Sequence, residues 1–318
     1  MVTLSLRLEP DVRARLASYG DVGRAWESEL PARLERLCSA WRLTPGASLP
    51  GGTSSCVIEV TRTDGTPAVL KIALPDPTFG RQVATMVRGR GRGYALVLDH
   101  DPTERAVLME ALGSGANAAG AEPDEVERLL GTGARLLRVA RQRPEADAVP
   151  QRDEKAGSLK LLIHAAERSL GLGGDRAAVV RALDLLDHRA QSWAPERALV
   201  VHGDPHIGNM LPTRRARAGS VEGYVFVDPD GFVADPAYDA GVLIRDWCDL
   251  LGRAGSEGGD APGLVERWAG LIACETGLDE QAVWEWGFIE RVTTGLHLLT
   301  LGIADRGRSY LETGRRLL

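Results

Sequence analysis

Apolar residues recur at helical spacing between about Pro10 and Arg42: Val12 and Leu16, then Leu30, Leu34, Leu37 and Trp41. That pattern predicts helices, with Gly20 and Pro31 as breaks. From Ala47 to about Leu74 the period shortens. Cys56-Val-Ile-Glu-Val-Thr and Ala68-Val-Leu-Lys-Ile-Ala predict two strands, and Asp64-Gly between them signals a hairpin turn. A short helix is expected from Thr78 to about Arg88, then strands at Tyr94–Leu98 and Ala106–Glu110. After Gly113 the pattern is helical from about Pro123 to Ala194, with a loop at Pro144 to Pro150. Ala198-Leu-Val-Val-His and Gly223-Tyr-Val-Phe-Val-Asp are two strands set among helices. From Tyr238 onward the helices resume, broken at Gly252 to Gly259. No internal repeat is present. A β-rich part followed by a helical part predicts two lobes with a cleft between them.

The bulk numbers suit that picture. A chain of 318 residues, 44% hydrophobic and 26% charged, can bury the cores of two lobes. The net charge is −6, without the basic surplus or stripe of a nucleic-acid binder, and it suits a cationic ligand better. The four cysteines are scattered and form no C-x-x-C pair, as expected of reduced thiols in a cytoplasmic protein. The N-terminal stretch predicts no signal peptide, and no apolar run reaches the roughly 20 residues of a membrane span. Lysine occurs only at Lys71, Lys155 and Lys160, so a lysine kept against an arginine bias draws notice.

The chemistry gathers in His202-Gly-Asp-Pro-His-Ile-Gly-Asn209, then Val225-Phe-Val-Asp228-Pro-Asp-Gly231 and Asp235-Pro-Ala-Tyr-Asp239. Phosphoryl transfer needs a carboxylate for the hydroxyl proton, hard oxygen ligands for Mg²⁺ and a cation on the phosphates. Asp204 can be the base, and Asn209 and Asp228 the oxygen ligands. Their order and spacing follow the kinase loop H-R-D-x-x-x-x-N and the later D-F-G aspartate. Lys71 sits in a strand of the V-A-I-K form. Upstream, the Gly51-Gly52-Thr53-Ser54-Ser55 loop can offer backbone N–H groups to phosphates.

These segments resemble the aminoglycoside phosphotransferase family, a branch of the protein-kinase-like fold. More narrowly, Tyr19-Gly-Asp-Val-Gly-Arg-Ala-Trp26, Leu49-Pro-Gly-Gly-Thr-Ser, Asp64-Gly-Thr-Pro-Ala-Val-Leu-Lys71 and Gly91-Arg-Gly93 resemble the streptomycin 6-phosphotransferase and hydroxyurea phosphotransferase group. The resemblance implies an α+β, two-lobed kinase-like fold. Residues 1–112 would form an N-lobe of leading helices and an antiparallel sheet, and residues 113–318 a mainly helical C-lobe. It implies Asp204 as catalytic aspartate, Asn209 and Asp228 on Mg²⁺, and Lys71 on the α/β-phosphates. Met109-Glu110-Ala111-Leu112 would be the hinge against adenine, with Glu110 and Leu112 as backbone contacts. Asp235 and Asp239 would brace the catalytic region. The sequence departs from the family twice. Gln82 stands where relatives carry a glutamate for the lysine, and Asp230 where they often carry lysine.

Other motifs fail on their geometry. His202 and His206 have the spacing of the zinc motif H-E-x-x-H, but Gly203 and Pro205 disfavour the helix it needs, so His202 reads as a packing residue of the loop. Asp228-Pro-Asp-Gly is not an EF-hand loop, because its glycine comes too early, and Gly89-Arg-Gly-Arg-Gly93 is too short for an RNA-binding tract. No Walker sequence or G-x-S-x-G elbow occurs. Asp230, Asp246, Glu285 and Glu290 are the candidate carboxylates for a cationic acceptor. The expected activity is ATP-dependent phosphorylation of a small-molecule hydroxyl, with GTP as an alternative donor. The expected acceptor is an aminoglycoside of the streptomycin type, and the consequence antibiotic resistance. A metabolic amino-sugar or small-alcohol kinase is the alternative, and a nucleotide-binding regulator with little activity the alternative of another class. A monomer or homodimer is expected.

Overall fold

The computed structural model describes residues 6, 8–50, 54–115, 121–171, 173–256 and 259–318. Helices α1 (Pro10–Ser18) and α2 (Asp21–Trp41) lead the chain. A five-stranded antiparallel sheet follows, made of β1 (Thr44–Ser48), β2 (Ser55–Thr61), β3 (Pro67–Ala73), β4 (Val97–Asp101) and β5 (Ala106–Glu110) in the order β1-β2-β3-β5-β4. Helix α3 (Phe79–Gly89) lies between β3 and β4 in the chain.

Alternation along β2 and β3 gives the sheet two different faces. Cys56, Ile58, Val60, Ala68, Leu70 and Ile72 pack in one core with Val12, Leu16, Trp26, Leu30, Leu34 and Leu37 from the leading helices. Full burial of each such aliphatic side chain contributes about 1.5–3 kcal/mol. The Trp26 indole N–H also donates to the Ala73 carbonyl at 3.0 Å, tying α2 to the lysine strand. Val57, Val69 and Lys71 point the other way, into the cleft. Pro31 does not break the helix as expected. It lies inside α2, where the buried stripe Trp26, Leu30, Leu34 and Leu37 outweighs the one backbone hydrogen bond a proline removes.

The helical part comprises α4 (Pro123–Ala140), α5 (Glu154–Ser169), α6 (Arg176–Gln191), α7 (Pro236–Arg245), α8 (Cys248–Ser256), α9 (Ala261–Thr276), α10 (Glu280–Thr300) and α11 (Ala304–Arg316). Four short strands interrupt it. β6 (Leu199–Val200) pairs with β9 (Val233–Ala234), and β7 (Met210–Pro212) pairs with β8 (Tyr224–Phe226). Several details differ from the sequence expectation. β7 and β9 were not foreseen, α8 occupies part of the Gly-rich break, and β4 begins at Val97. Tyr94 instead makes an isolated bridge to Phe226, and the Ala95 N–H donates to the Phe226 carbonyl, so that stretch joins the two parts of the molecule.

Candidate active site

The loop between β6 and β7 carries Asp204, and backbone donors aimed at one carboxylate hold it. Asp239, in the first turn of α7, accepts from the His202 N–H at 2.6 Å and the Gly203 N–H at 2.8 Å. Asp235 caps the same helix by accepting from the Ala237 N–H at 2.9 Å. His202 packs between Tyr94 and Phe226. Its Nδ1 accepts from the Asp204 N–H at 3.2 Å, so its proton sits on Nε2, which donates to the Val227 carbonyl at 2.9 Å. Gly203 has φ +93°, and a Cβ there would lie 2.6 Å from Phe232 and 2.7 Å from the Asp230 Cβ. No other residue fits that position without moving the loop.

The end of the same loop meets β8. The Val227 N–H donates to the Asn209 carbonyl at 2.9 Å, and the Asn209 side-chain amide donates to the Asp204 carbonyl at 2.9 Å. These bonds gather Asp204, Asn209 and Asp228 at one edge of the cleft. Asp228 stands at φ +56°, a left-handed conformation that aspartate tolerates better than most residues. Its Oδ1 lies 2.6 Å from Lys71 Nζ. Lys71 is only 5% exposed. Gln82 does not reach it: the Gln82 amide donates to Thr78 Oγ1 at 3.1 Å.

A cavity of about 540 Å³ opens beside these groups. Val57, Val69, Lys71, Met109, Glu110, Leu112, Asn209, Val227 and Asp228 are part of its lining. Its size and apolar walls suit a small organic ligand. Glu110 pairs through its side chain with Arg217, Nε at 3.1 Å, and its backbone N–H donates to the Leu96 carbonyl at 3.0 Å. The Leu112 carbonyl accepts from Arg214 at 3.2 Å. Ser55 shares the strand face of Val57, and its buried hydroxyl has no partner among the described residues. Ser54 is described through its carbonyl, which accepts from the Leu74 N–H at 3.0 Å. Gly51, Gly52 and Thr53 lie outside the described residues.

On the opposite side of Asp204 is Arg245, which sequence reasoning missed. Its Nη1 lies 3.0 Å from Asp204 Oδ1, in an orientation that makes the contact an ion pair and not an aligned hydrogen bond. The same guanidinium holds Asp246 at 2.6 Å and approaches Glu290 at 3.5 Å. Tyr310 donates to Asp246 at 2.7 Å, and Tyr238 donates to Glu290 at 2.7 Å. Burial alone would push the Asp246 carboxyl up, but Arg245 outweighs it and holds that group well below the usual carboxylate range. Glu285, expected to face an acceptor, is 1% exposed and engaged elsewhere: its carboxylate lies 2.6 Å from Arg189 and 2.9 Å from His188. A buried carboxylate is stable there because a cation neutralises it.

Two buried groups of this region titrate in opposite senses. Burial lowers His202 from 6.5 to about 4, and burial raises Asp239 from 3.8 to about 7 against its two backbone donors. Between roughly pH 4 and 6.5 the unfolded chain binds the His202 proton, so that share of stability falls as pH falls. Over roughly pH 4 to 7 the folded chain binds the Asp239 proton, so that share falls as pH rises. The two slopes oppose each other. Asp239→Asn removes one of them. Its unfolding free energy is expected to drop, relative to wild type, by about 1.4 kcal/mol per pH unit from pH 6.5 to 5. Urea melts of both proteins across that interval would give parallel curves if the opposition were not there.

The backbone brace on the Asp204 loop stands near the buried lysine–aspartate pair and the cavity that pair lines. Residues 40–299 match the family described as aminoglycoside/hydroxyurea antibiotic resistance kinase. The chain belongs to this kinase family. Among curated relatives, the streptomycin 6-kinase of Streptomyces glaucescens is 29% identical over 88% of this chain and 86% of that enzyme. The streptomycin 6-kinase of Streptomyces griseus is 27% identical over 85% of this chain and 83% of that enzyme. Among solved structures, the ethanolamine kinase of Plasmodium vivax superposes with a TM-score of 0.58 at 10% identity, over 86% of this chain and 82% of that one. The fold is that of the protein-kinase-like enzymes. As an antibiotic resistance kinase, the protein moves a phosphoryl group from a nucleoside triphosphate, carried with a metal ion, to a hydroxyl of a small molecule. The donor set fits such a metal, because Asp228 and Asn209 offer hard oxygen atoms beside a buried cation. Among the described residues, no helix is long and apolar enough to cross a membrane.

Proposed function

We propose that this kinase phosphorylates an aminoglycoside of the streptomycin type in the cytoplasm, with ATP as donor and Mg²⁺ as metal. The observation that carries the acceptor class is the match to two streptomycin 6-kinases along more than four fifths of the chain. We assign Asp204 as the base. Its Oδ1 faces Arg245 at 3.0 Å, and we assign Oδ2, which has His206 Nε2 3.6 Å away, to take the acceptor's hydroxyl proton. The freed oxygen attacks the γ-phosphorus, the bond to the β–γ bridging oxygen breaks, and ADP leaves. A Mg²⁺ ion held by the Asn209 and Asp228 oxygens would neutralise phosphate charge and fix the chain of phosphates. Lys71 balances charge on the leaving group, exchanging Asp228 for phosphate oxygen as the nucleotide enters. The hinge backbone at Glu110 and Leu112 borders the base end of the cavity. The division between lobes falls at Leu112, with residues 1–112 on one side and 113–318 on the other.

The test is ADP release from ATP·Mg²⁺ against a panel led by streptomycin, followed by other aminoglycosides and amino sugars. Streptomycin-dependent release is expected. Turnover only with an amino sugar would replace the acceptor class and keep the kinase. Nucleotide binding with no turnover on any acceptor would refute the catalytic reading in favour of a regulator.

A further inference from the structure

The carboxylates considered for an acceptor are spoken for. Asp246 is held by Arg245 and Tyr310, and Glu290 by Tyr238, with Lys155 3.9 Å away. Asp230 lines a separate cavity together with Arg81, Arg88 and Lys155. The group that faces Asp204 Oδ2 is an imidazole. His206 stands two residues on in the same loop, and its Nε2 lies 3.6 Å from that oxygen.

The local backbone fixes the ring. The Gly208 N–H donates to His206 Nδ1 at 3.0 Å and closes a single turn at Ile207–Asn209. A Cβ at position 208 would lie 2.7 Å from His206 Cε1, so glycine is what lets the ring approach the turn. With Nδ1 accepting, the ring proton sits on Nε2, on the side of Asp204. Asp246 Oδ2 is 3.9 Å from Nδ1, too far for a hydrogen bond that would reverse this assignment. At 3.6 Å, Nε2 and Asp204 Oδ2 are also too far apart to bond each other, yet one oxygen atom placed between them is within reach of both. The His206 side chain is 30% exposed and that of Asp204 40%, so the space between them is open to an acceptor.

We propose that His206 is a second catalytic residue, whose Nε2–H donates to the acceptor's hydroxyl oxygen while that hydroxyl gives its proton to Asp204 Oδ2. An alcohol oxygen carries one proton and two lone pairs. With the proton directed at Asp204 and one lone pair at His206, the remaining lone pair has a single direction left for attack on the γ-phosphorus. His206 keeps its own proton throughout. The O–H bond breaks toward Asp204 as the new P–O bond forms and the bond to the β–γ bridging oxygen breaks. The inference rests on the kinase reading of Asp204 and adds the group that orients the nucleophile.

Two substitutions separate this role from capping the turn. Asparagine can place its side-chain oxygen where Nδ1 stands and go on accepting from Gly208, but it has no atom at the Nε2 position. Glutamine can bring its amide N–H to that position. With streptomycin as acceptor, His206→Asn is expected to lower kcat by about tenfold or more, with ATP·Mg²⁺ affinity and melting temperature as in wild type. His206→Gln should recover much of that loss. Nitrogen NMR of the isotope-labelled histidines, with His206→Asn to assign the signal, is expected to show a bare Nδ1 and a protonated Nε2. His206→Asn turning over at the wild-type rate overturns the proposal. So does His206→Gln no better than His206→Asn when both melt like wild type, or a proton found on Nδ1. Full activity in Asp204→Ala beside an impaired His206→Asn would remove Asp204 as the base and keep His206 on the hydroxyl.

Discussion

Replacing Asp204 by alanine is expected to lower kcat by about a thousandfold, the usual scale of losing a positioned proton acceptor. The nucleotide should still bind, because Lys71, Asn209 and Asp228 are untouched. Stability should change little. Arg245 loses one carboxylate but keeps Asp246 at 2.6 Å and Glu290 at 3.5 Å, so no buried cation is left alone. Steady-state kinetics beside nucleotide titration separate these quantities. Turnover near the wild-type rate would show that another group takes the proton.

Asp228→Ala should do damage of a different kind. Lys71 is almost fully buried and Asp228 is its only ion-pair partner among the described residues. Removing one member of such a pair leaves an uncompensated charge, worth about 3–5 kcal/mol when both partners are dry. Asp228 is one-third exposed, so about 2–3 kcal/mol is the expected loss in urea unfolding. Activity is expected to fall as well, since the proposed metal oxygen ligand goes with it. The double variant Lys71→Met/Asp228→Ala tells the two losses apart. It should recover most of the stability and none of the turnover. Equal stability of single and double variants would mean that the pair carries no net energy.

The candidate reacting groups could be proposed from the chain because kinase chemistry demands particular residue types at particular spacings. Lys71, Asn209 and Asp228 come from separate parts of the chain to line one cavity, and the Asn209 side-chain amide donates to the Asp204 carbonyl beside it. The supports were harder to see. Arg245 looks in the sequence like any arginine near a helix end, and only its contact with three carboxylates gives it a role. Arg217, which clamps Glu110, is likewise one basic residue in a polar loop. Lys155 did leave a trace, being one of three lysines in the chain. Glu285 shows the reverse difficulty. Helical periodicity places it on α10 but cannot say that Arg189 of α6 waits opposite. Among the elements, short strands such as β7 escape detection because they hold too few residues to show a period.

The two-faced lysine strand has a consequence for how such a protein changes over time. Along β3, Ala68, Leu70 and Ile72 answer to the volume available under the leading helices, while Val69 and Lys71 answer to what enters the cleft. Neighbouring codons are thus under unrelated selection. One set drifts freely among side chains of similar bulk, and compensating changes arise in the helices. The other set stays fixed while the reaction is needed and loosens once it is not. A lineage that abandoned catalysis would keep every second residue of this strand.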